Sequence, residues 1–124
     1  NIAGGKLHLH NIVRSNDMIL GCPHDVAGFA LLQCILAERL GLEPGIYTHS
    51  ISNAHIYDNH FHGAEAIMTR QNEHPLVKLH VPSGSYDRAM NGDTELVAEI
   101  VQSLKDQYQP LDAVEDLKIT VNVY

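Results

Sequence analysis

The chain has 124 residues, a net charge of −7 at neutral pH and 44% hydrophobic residues. That length suits one domain, the apolar share suffices for a packed core, and no apolar run approaches the ~20 residues that span a bilayer. The acidic balance argues against broad electrostatic binding to nucleic acid or to an anionic membrane, while leaving room for a small anion held by one arginine.

The opening stretch NIAGGKLHLH lacks the charged and long apolar regions of a signal peptide. Because the first residue is Asn1 and not Met, the chain is expected to be processed or to be a piece of a longer protein. Two cysteines, Cys22 and Cys34, make no disulfide framework and point to a reducing, cytoplasmic setting.

In chain order, residues 6–14 alternate Leu7 and Leu9 with His8 and His10, which predicts a strand. A tight turn at Gly21-Cys22-Pro23 follows. Residues 25–40 are apolar nearly all round the helical wheel, which predicts a buried helix. Asp25 fits its N-cap and Gly41 fits the residue just past its end. Residues 45–57 are β-branched and aromatic, hence a strand, and 59–71 form a shorter helix. LVKLHV (76–81) predicts another strand. Asn91-Gly92 marks a turn, and Asp93 caps a helix over 93–108 with an apolar stripe from Leu96 to Tyr108. EDLKITVNVY (115–124) reads as a last strand. The alternation implies an α/β or α+β fold.

Several residues carry chemistry. The Arg14 fork of donors beside the Ser15 hydroxyl suits a phosphate, although an ordinary Arg-Ser at a strand end looks the same. His55 and Tyr57 lie two apart on a strand and so share a face. Two polar rings there suit a sugar hydroxyl, or they are simply half-buried and satisfied. The nine histidines include HLH (8–10) and HFH (60–62), but each pair supplies two ligands where zinc needs three or four, so no metal is expected. Cys22 lies near a helix start, where a thiolate is stabilised, but no base pairs with it.

These pieces together resemble the thymidylate synthases and their relatives, the deoxycytidylate and cytidylate hydroxymethylases. The likeness runs from Gly5 to about His80. It covers GKL (5–7), RSNDMILGCPHDVAGFALL (14–32) and LEPGIYTHSISNAHIYDNH (42–60), and it returns weakly in VEDLKI (114–119). It fades after about residue 82, and the 93–108 helix looks like an insertion.

The resemblance implies a thymidylate-synthase-like mixed sheet with a buried central helix and an extra amphipathic helix, formed as one domain that is the C-terminal part of that fold. It implies that Arg14 and Ser15 hold a nucleotide 5′-phosphate, that His55 and Tyr57 hold the sugar 3′-hydroxyl, and that Asp25 reads the pyrimidine edge. Asp17, Leu20 and Gly21 would lie beside the pterin of methylenetetrahydrofolate or a related reduced folate. The implied chemistry is one-carbon transfer to C5 of a pyrimidine nucleoside monophosphate in a homodimer, giving methyl or hydroxymethyl, through a cysteine thiolate that adds to C6.

That nucleophile belongs to a Pro-Cys pair just before the position matching Asn1, so no catalytic residue is expected in this chain. A non-catalytic nucleotide-binding module of the same fold, or a metal-binding or structural dimerisation domain, are the alternatives. Asn122 or Tyr124 stands near a sugar-binding Tyr of the family.

Position 25 is the most telling departure. The thymidylate synthases carry Asn there, whose amide donates to O4 and accepts from N3–H of uracil. The cytidylate hydroxymethylases carry Asp. Cytosine presents an N4 amino donor and an unprotonated N3. A carboxylate accepts from the first, and a protonated carboxyl also donates to the second. A cytosine nucleotide is therefore the expected ligand, unless Asp25 only caps its helix.

Overall fold

The computed structural model describes residues 1–115, 117 and 118. Strand β1 (Ile2–Ala3) turns back through Gly4 and Gly5, both at positive φ (57° and 74°), into strand β2 (Lys6–Asp17). Two consecutive positive-φ residues make the hairpin turn whose twist matches that of the strands, and glycine adopts it without strain. Strand β3 (Glu43–His55) pairs parallel with β2, so the mixed sheet runs β1-β2-β3.

The β2–β3 register shifts between Leu7 and Leu9. Side chains repair the irregular ladder. Ile46 N–H donates to His8 Nδ1 (3.1 Å), and Gln33 Nε2 donates to the Leu7 carbonyl (2.7 Å). A side chain at Gly45 would strike the His8 ring and the Leu7 carbonyl at 2.9 Å, so this bulge requires glycine.

The parallel crossover is helix α1 (Gly21–Arg39). It starts four residues before the expected cap. Pro23 sits in the first turn, where its missing N–H costs nothing, so the Gly-x-Pro segment opens the helix instead of preceding it. Leu20 is the N-cap, and Asp25 makes no cap bond. The C-terminal end is as expected. Gly41 (φ 65°) sends its N–H to Glu38 O, and Leu42 N–H reaches Ala37 O at 2.9 Å, the paired bonds of a Schellman stop.

The burial of α1 is one-sided, contrary to the all-round apolar pattern. Ala37 and Gln33 are buried, while Phe29 and Leu32 remain 38% and 42% exposed. A helix covered on one side by a three-stranded sheet cannot bury its whole circumference. Its apolar outer face stays on the surface of this chain.

After β3 comes a 3-10 turn (Asp58–His60), then helix α2 (Phe61–Thr69), helix α3 (Ser85–Met90) and helix α4 (Thr94–Lys105). The expected strand over 76–81 is absent. The segment is irregular, and both Lys78 backbone groups pair with one side chain. Lys78 N–H donates to Gln107 Oε1, and Gln107 Nε2 donates to Lys78 O, both at 3.0 Å. An amide at the end of a helix takes the place of a neighbouring strand.

Asp93 caps α4 as expected by accepting from Glu95 N (2.9 Å). The stripe is only partly covered, with Leu96 and Ile100 buried and Val97 and Val101 exposed. Arg88 ties α3 to α4 through Asp93 (2.6 Å) and a two-point contact with Glu99 (2.8 and 3.0 Å). The strand expected over 115–124, with Asn122 and Tyr124, falls mainly on residues outside those described.

Candidate functional site

The sequence-derived candidates lie where β2 and β3 end side by side and where α1 begins. At the strand ends, Asp17 pairs with His55, and Met18 N–H donates to the His55 carbonyl (2.9 Å). Ser15 Oγ lies 3.4 Å from His55 Nδ1 and accepts from Asn53 Nδ2 (3.2 Å). His55 and Tyr57 rings meet edge to face at 5.2 Å, so the pair does share one surface. Arg14 is exposed, and among the described residues no hydrogen bond or ion pair engages its guanidinium.

Asp17 serves the turn into α1. Its two carboxylate oxygens accept from Ile19 N (3.0 Å) and Leu20 N (3.2 Å). Each oxygen keeps a free lone pair. Leu20 and Gly21, half-buried, follow at the mouth of the helix. A Cβ at Gly21 would sit 3.1 Å from Asn16 Oδ1, so the backbone closes tightly on β2 there. The remaining acceptor capacity of the Asp17 carboxylate is what a group with N–H donors, such as a reduced pterin, would use.

Asp25 belongs to a second cluster that the motifs did not reveal. Asn16, 3% exposed, sends Nδ2 to Asp25 Oδ2 (2.9 Å) and to His49 Nε2 (3.3 Å). The opposite amide orientation would press Oδ1 against the carboxylate, so Nδ2 is the group facing Asp25. His49 Nε2 then accepts, and its Nδ1 lies 2.7 Å from Tyr47 Oη and 3.4 Å from Asn11 Nδ2. Asn16 Oδ1 is buried with no partner.

A polar chain thus runs Tyr47–His49–Asn16–Asp25 from the sheet into the helix. No hydrogen bond among the described residues joins it to the Ser15–His55 pair. Neighbours on a strand point to opposite faces, and so Ser15 and Asn16 serve different clusters. The available signal was Asn16 itself, an amide between Ser15 and Asp17 with no role in the phosphate or pterin reading. Asp25 also borders an open pocket of about 220 Å³, with His24, Gly28, Phe29 and Leu32.

The histidine pairs are used elsewhere. His8 and His10 bond to Ile46 N and Ser50 Oγ, and His60 and His62 donate to the carbonyls of Lys118 and Glu115. Among the described residues no three His, Cys, Asp or Glu side chains gather as metal ligands. Burial pushes the Cys34 thiol up from its ordinary range, the reverse of what a nucleophile needs. No helix among the described residues is long and apolar enough to cross a membrane.

Comparison with known proteins gives these placements a frame. The family model described as thymidylate synthase matches residues 1–109, which takes in α3 and α4 beyond the point where the resemblance in the sequence fades. The thymidylate synthase of Clostridium beijerinckii is 41% identical over 73 residues, which are 59% of this chain and 28% of that protein. The chain therefore spans little more than a quarter of that relative's length. With the mixed sheet, the crossover helix and a match over most of its residues, the chain belongs to the thymidylate synthase family.

Proposed function

We propose that the complete protein transfers a one-carbon unit to C5 of a pyrimidine nucleoside monophosphate, that these residues supply the nucleotide-binding part, and that the preferred nucleotide is a cytidylate. The observation that carries the reading is the Asp25 carboxylate, held at the start of α1 with Asn16 donating to one oxygen and the other oxygen free of any hydrogen bond among the described residues. A free carboxylate oxygen accepts from the exocyclic N4 amine of cytosine. The same oxygen opposes O4 of uracil, which is also an acceptor.

The remaining roles follow the strand ends. Arg14 and Ser15 hold the 5′-phosphate. Support comes from an arginine without a partner among the described residues beside a hydroxyl anchored by Asn53. His55 and Tyr57 present two polar rings on one face for the sugar 3′-hydroxyl. Methylenetetrahydrofolate, when bound, supplies the one-carbon unit, and Asp17, Leu20 and Gly21 line its side of the site. The exposed Ile12 and Ile46 on the sheet support assembly as a homodimer. A methyl product and a hydroxymethyl product are both compatible with these contacts. The protein works in the cytoplasm in this reading.

Tritium release from C5-labelled dCMP, CMP and dUMP, each with methylenetetrahydrofolate, tests the reading on the complete protein. Faster release from a cytidylate is the expected result. Release from dUMP alone would make the protein a uridylate enzyme with an unusual base contact, and no release from any of the three would favour a nucleotide-binding module without chemistry.

A further inference from the structure

Asn16 lies outside the phosphate, sugar and pterin contacts, yet it is among the most buried polar side chains described. Both of its amide hydrogens are engaged, one by Asp25 Oδ2 (2.9 Å) and one by His49 Nε2 (3.3 Å). His49 is held in turn by Tyr47 Oη (2.7 Å). The cost of this arrangement is visible in Asn16 Oδ1, which is buried with no partner. A buried, unpaired carbonyl oxygen is destabilising. An apolar side chain of similar size would avoid that cost, so the amide has a use besides packing.

We infer that Asn16 is a positioning residue for nucleotide selection, fixing through its Nδ2–Oδ2 bond which oxygen of Asp25 faces the base. This rests on the reading of Asp25 as the base contact and extends it. Without a donor at position 16 the carboxylate is free to rotate about its χ2 bond, and its acceptor edge is no longer aimed. His49 and Tyr47 act behind Asn16 by fixing the amide's own orientation. An amide at position 25 would change the logic. With Asn16 held by His49, its Nδ2 would donate to the oxygen of the new amide, which would turn its nitrogen to the base as a donor and so accommodate O4 of uracil.

The test compares the dCMP and dUMP dissociation constants of the complete protein and three variants, with circular dichroism to confirm folding. Asp25→Asn should lower the cytidylate preference by about ten- to a hundredfold, the size of one mispaired buried edge. Asn16→Leu keeps the branching of the side chain and removes the donor, and it should lower the preference by about three- to tenfold while leaving Asp25 in place.

The deciding variant exchanges the two, Asn16→Asp with Asp25→Asn. A carboxylate at position 16 only accepts, so it pins the nitrogen of the new amide inward and leaves its oxygen toward the base, while His49 turns Nε2 from acceptor to donor and accepts from the Tyr47 hydroxyl at Nδ1. Cytidylate preference should return above that of Asp25→Asn alone. A merely structural Asn16 gives no such rescue.

If Asp25→Asn shifts the preference and the exchange does not restore it, the role of Asn16 is wrong and the Asp25 reading stands. If Asp25→Asn shifts nothing, the base contact itself is wrong and the inference falls with it. Should Asn16→Leu fail to fold, the exchange variant decides alone, since it keeps the hydrogen bond between the two positions.

Discussion

The β2–α1–β3 unit and the α3–α4 unit are built on different rules. In the first, polar side chains are buried and wired to one another. Gln33 reaches the Leu7 carbonyl, and Asn16 joins Asp25 to His49. In the second, the buried side chains are Leu96, Ile100 and Ser85, the last bonded only to the nearby Pro82 carbonyl, and the charged groups lie nearer the surface as the Arg88–Asp93–Glu99 cluster. Buried amides are a poor way to gain stability, because a satisfied hydrogen bond contributes only about 1 kcal/mol net. They do fix orientation. In the proposed reading, the first region is shaped for a ligand and the second to hold together.

The largest effect should come from breaking the sheet side of α1. Ala37 is fully buried there. Ala37→Asp leaves an unpaired buried charge and should cost about 3–5 kcal/mol, read as a lower urea midpoint of the complete protein. Wild-type stability in that variant would mean that α1 does not pack as described.

Ile100→Ala comes next, at about 2–4 kcal/mol from the lost apolar contacts and residual cavity. The comparison predicts that nucleotide affinity stays unchanged in the folded fraction, measured by calorimetry well below the melting point. A matching fall in affinity would join the two regions into one unit.

Arg14→Ala should act in the opposite way. Stability should hold, while nucleoside monophosphate binding weakens by about 1.5–3 kcal/mol, the value of a hydrogen bond to a charged group. Affinity for the unphosphorylated nucleoside should not move. Equal weakening of both ligands would identify a structural arginine.

The smallest effect concerns pH. The Arg88 side chain, by hydrogen bonding first and charge second, lowers both Asp93 and Glu99 from their ordinary ranges. A carboxylate lowered in the folded state contributes stability above its unfolded value, and that stability is lost as pH falls through the lower folded value. With ordinary values near 3.9 and 4.3, the contribution is complete above about pH 5 and is lost progressively as pH falls below those values and through the lower folded ones. Arg88→Met should flatten this acid-side slope, and salt should shrink it because the groups face solvent. An unchanged slope in the variant would place the acid sensitivity elsewhere.

Periodicity in the sequence located both strands of the parallel pair, α1 and α4, because each has a long, regular pattern and a clear stop. Its errors have local causes. Asp25 has the chemistry of an N-cap, but Asp17 secures the turn, and Pro23 allows α1 to begin earlier. LVKLHV has strand composition, yet among the described residues no strand lies alongside, and Gln107 supplies the hydrogen bonds of Lys78. The His55–Tyr57 pair was expected from strand spacing, yet β3 ends at His55 and Tyr57 reaches it edge to face from the turn that follows, while the Ser15–His55 contact, made across the two strands, was not legible. Asn16 and His49 were not legible either, since the register sets His49 opposite Asn11 and Asn16 opposite Ala54, and their contact joins side chains that strand pairing does not place together. No short motif encodes that.

The most direct test of the account is the affinity of the complete wild-type protein for dCMP against dUMP, by calorimetry in one buffer. With Asp25 presenting an acceptor to the base, dCMP should bind about tenfold or more tightly, the effect of one correctly paired edge. Tighter binding of dUMP than of dCMP would contradict the account, and Asp25 would then be a helix residue tied to Asn16 with no part in choosing the base.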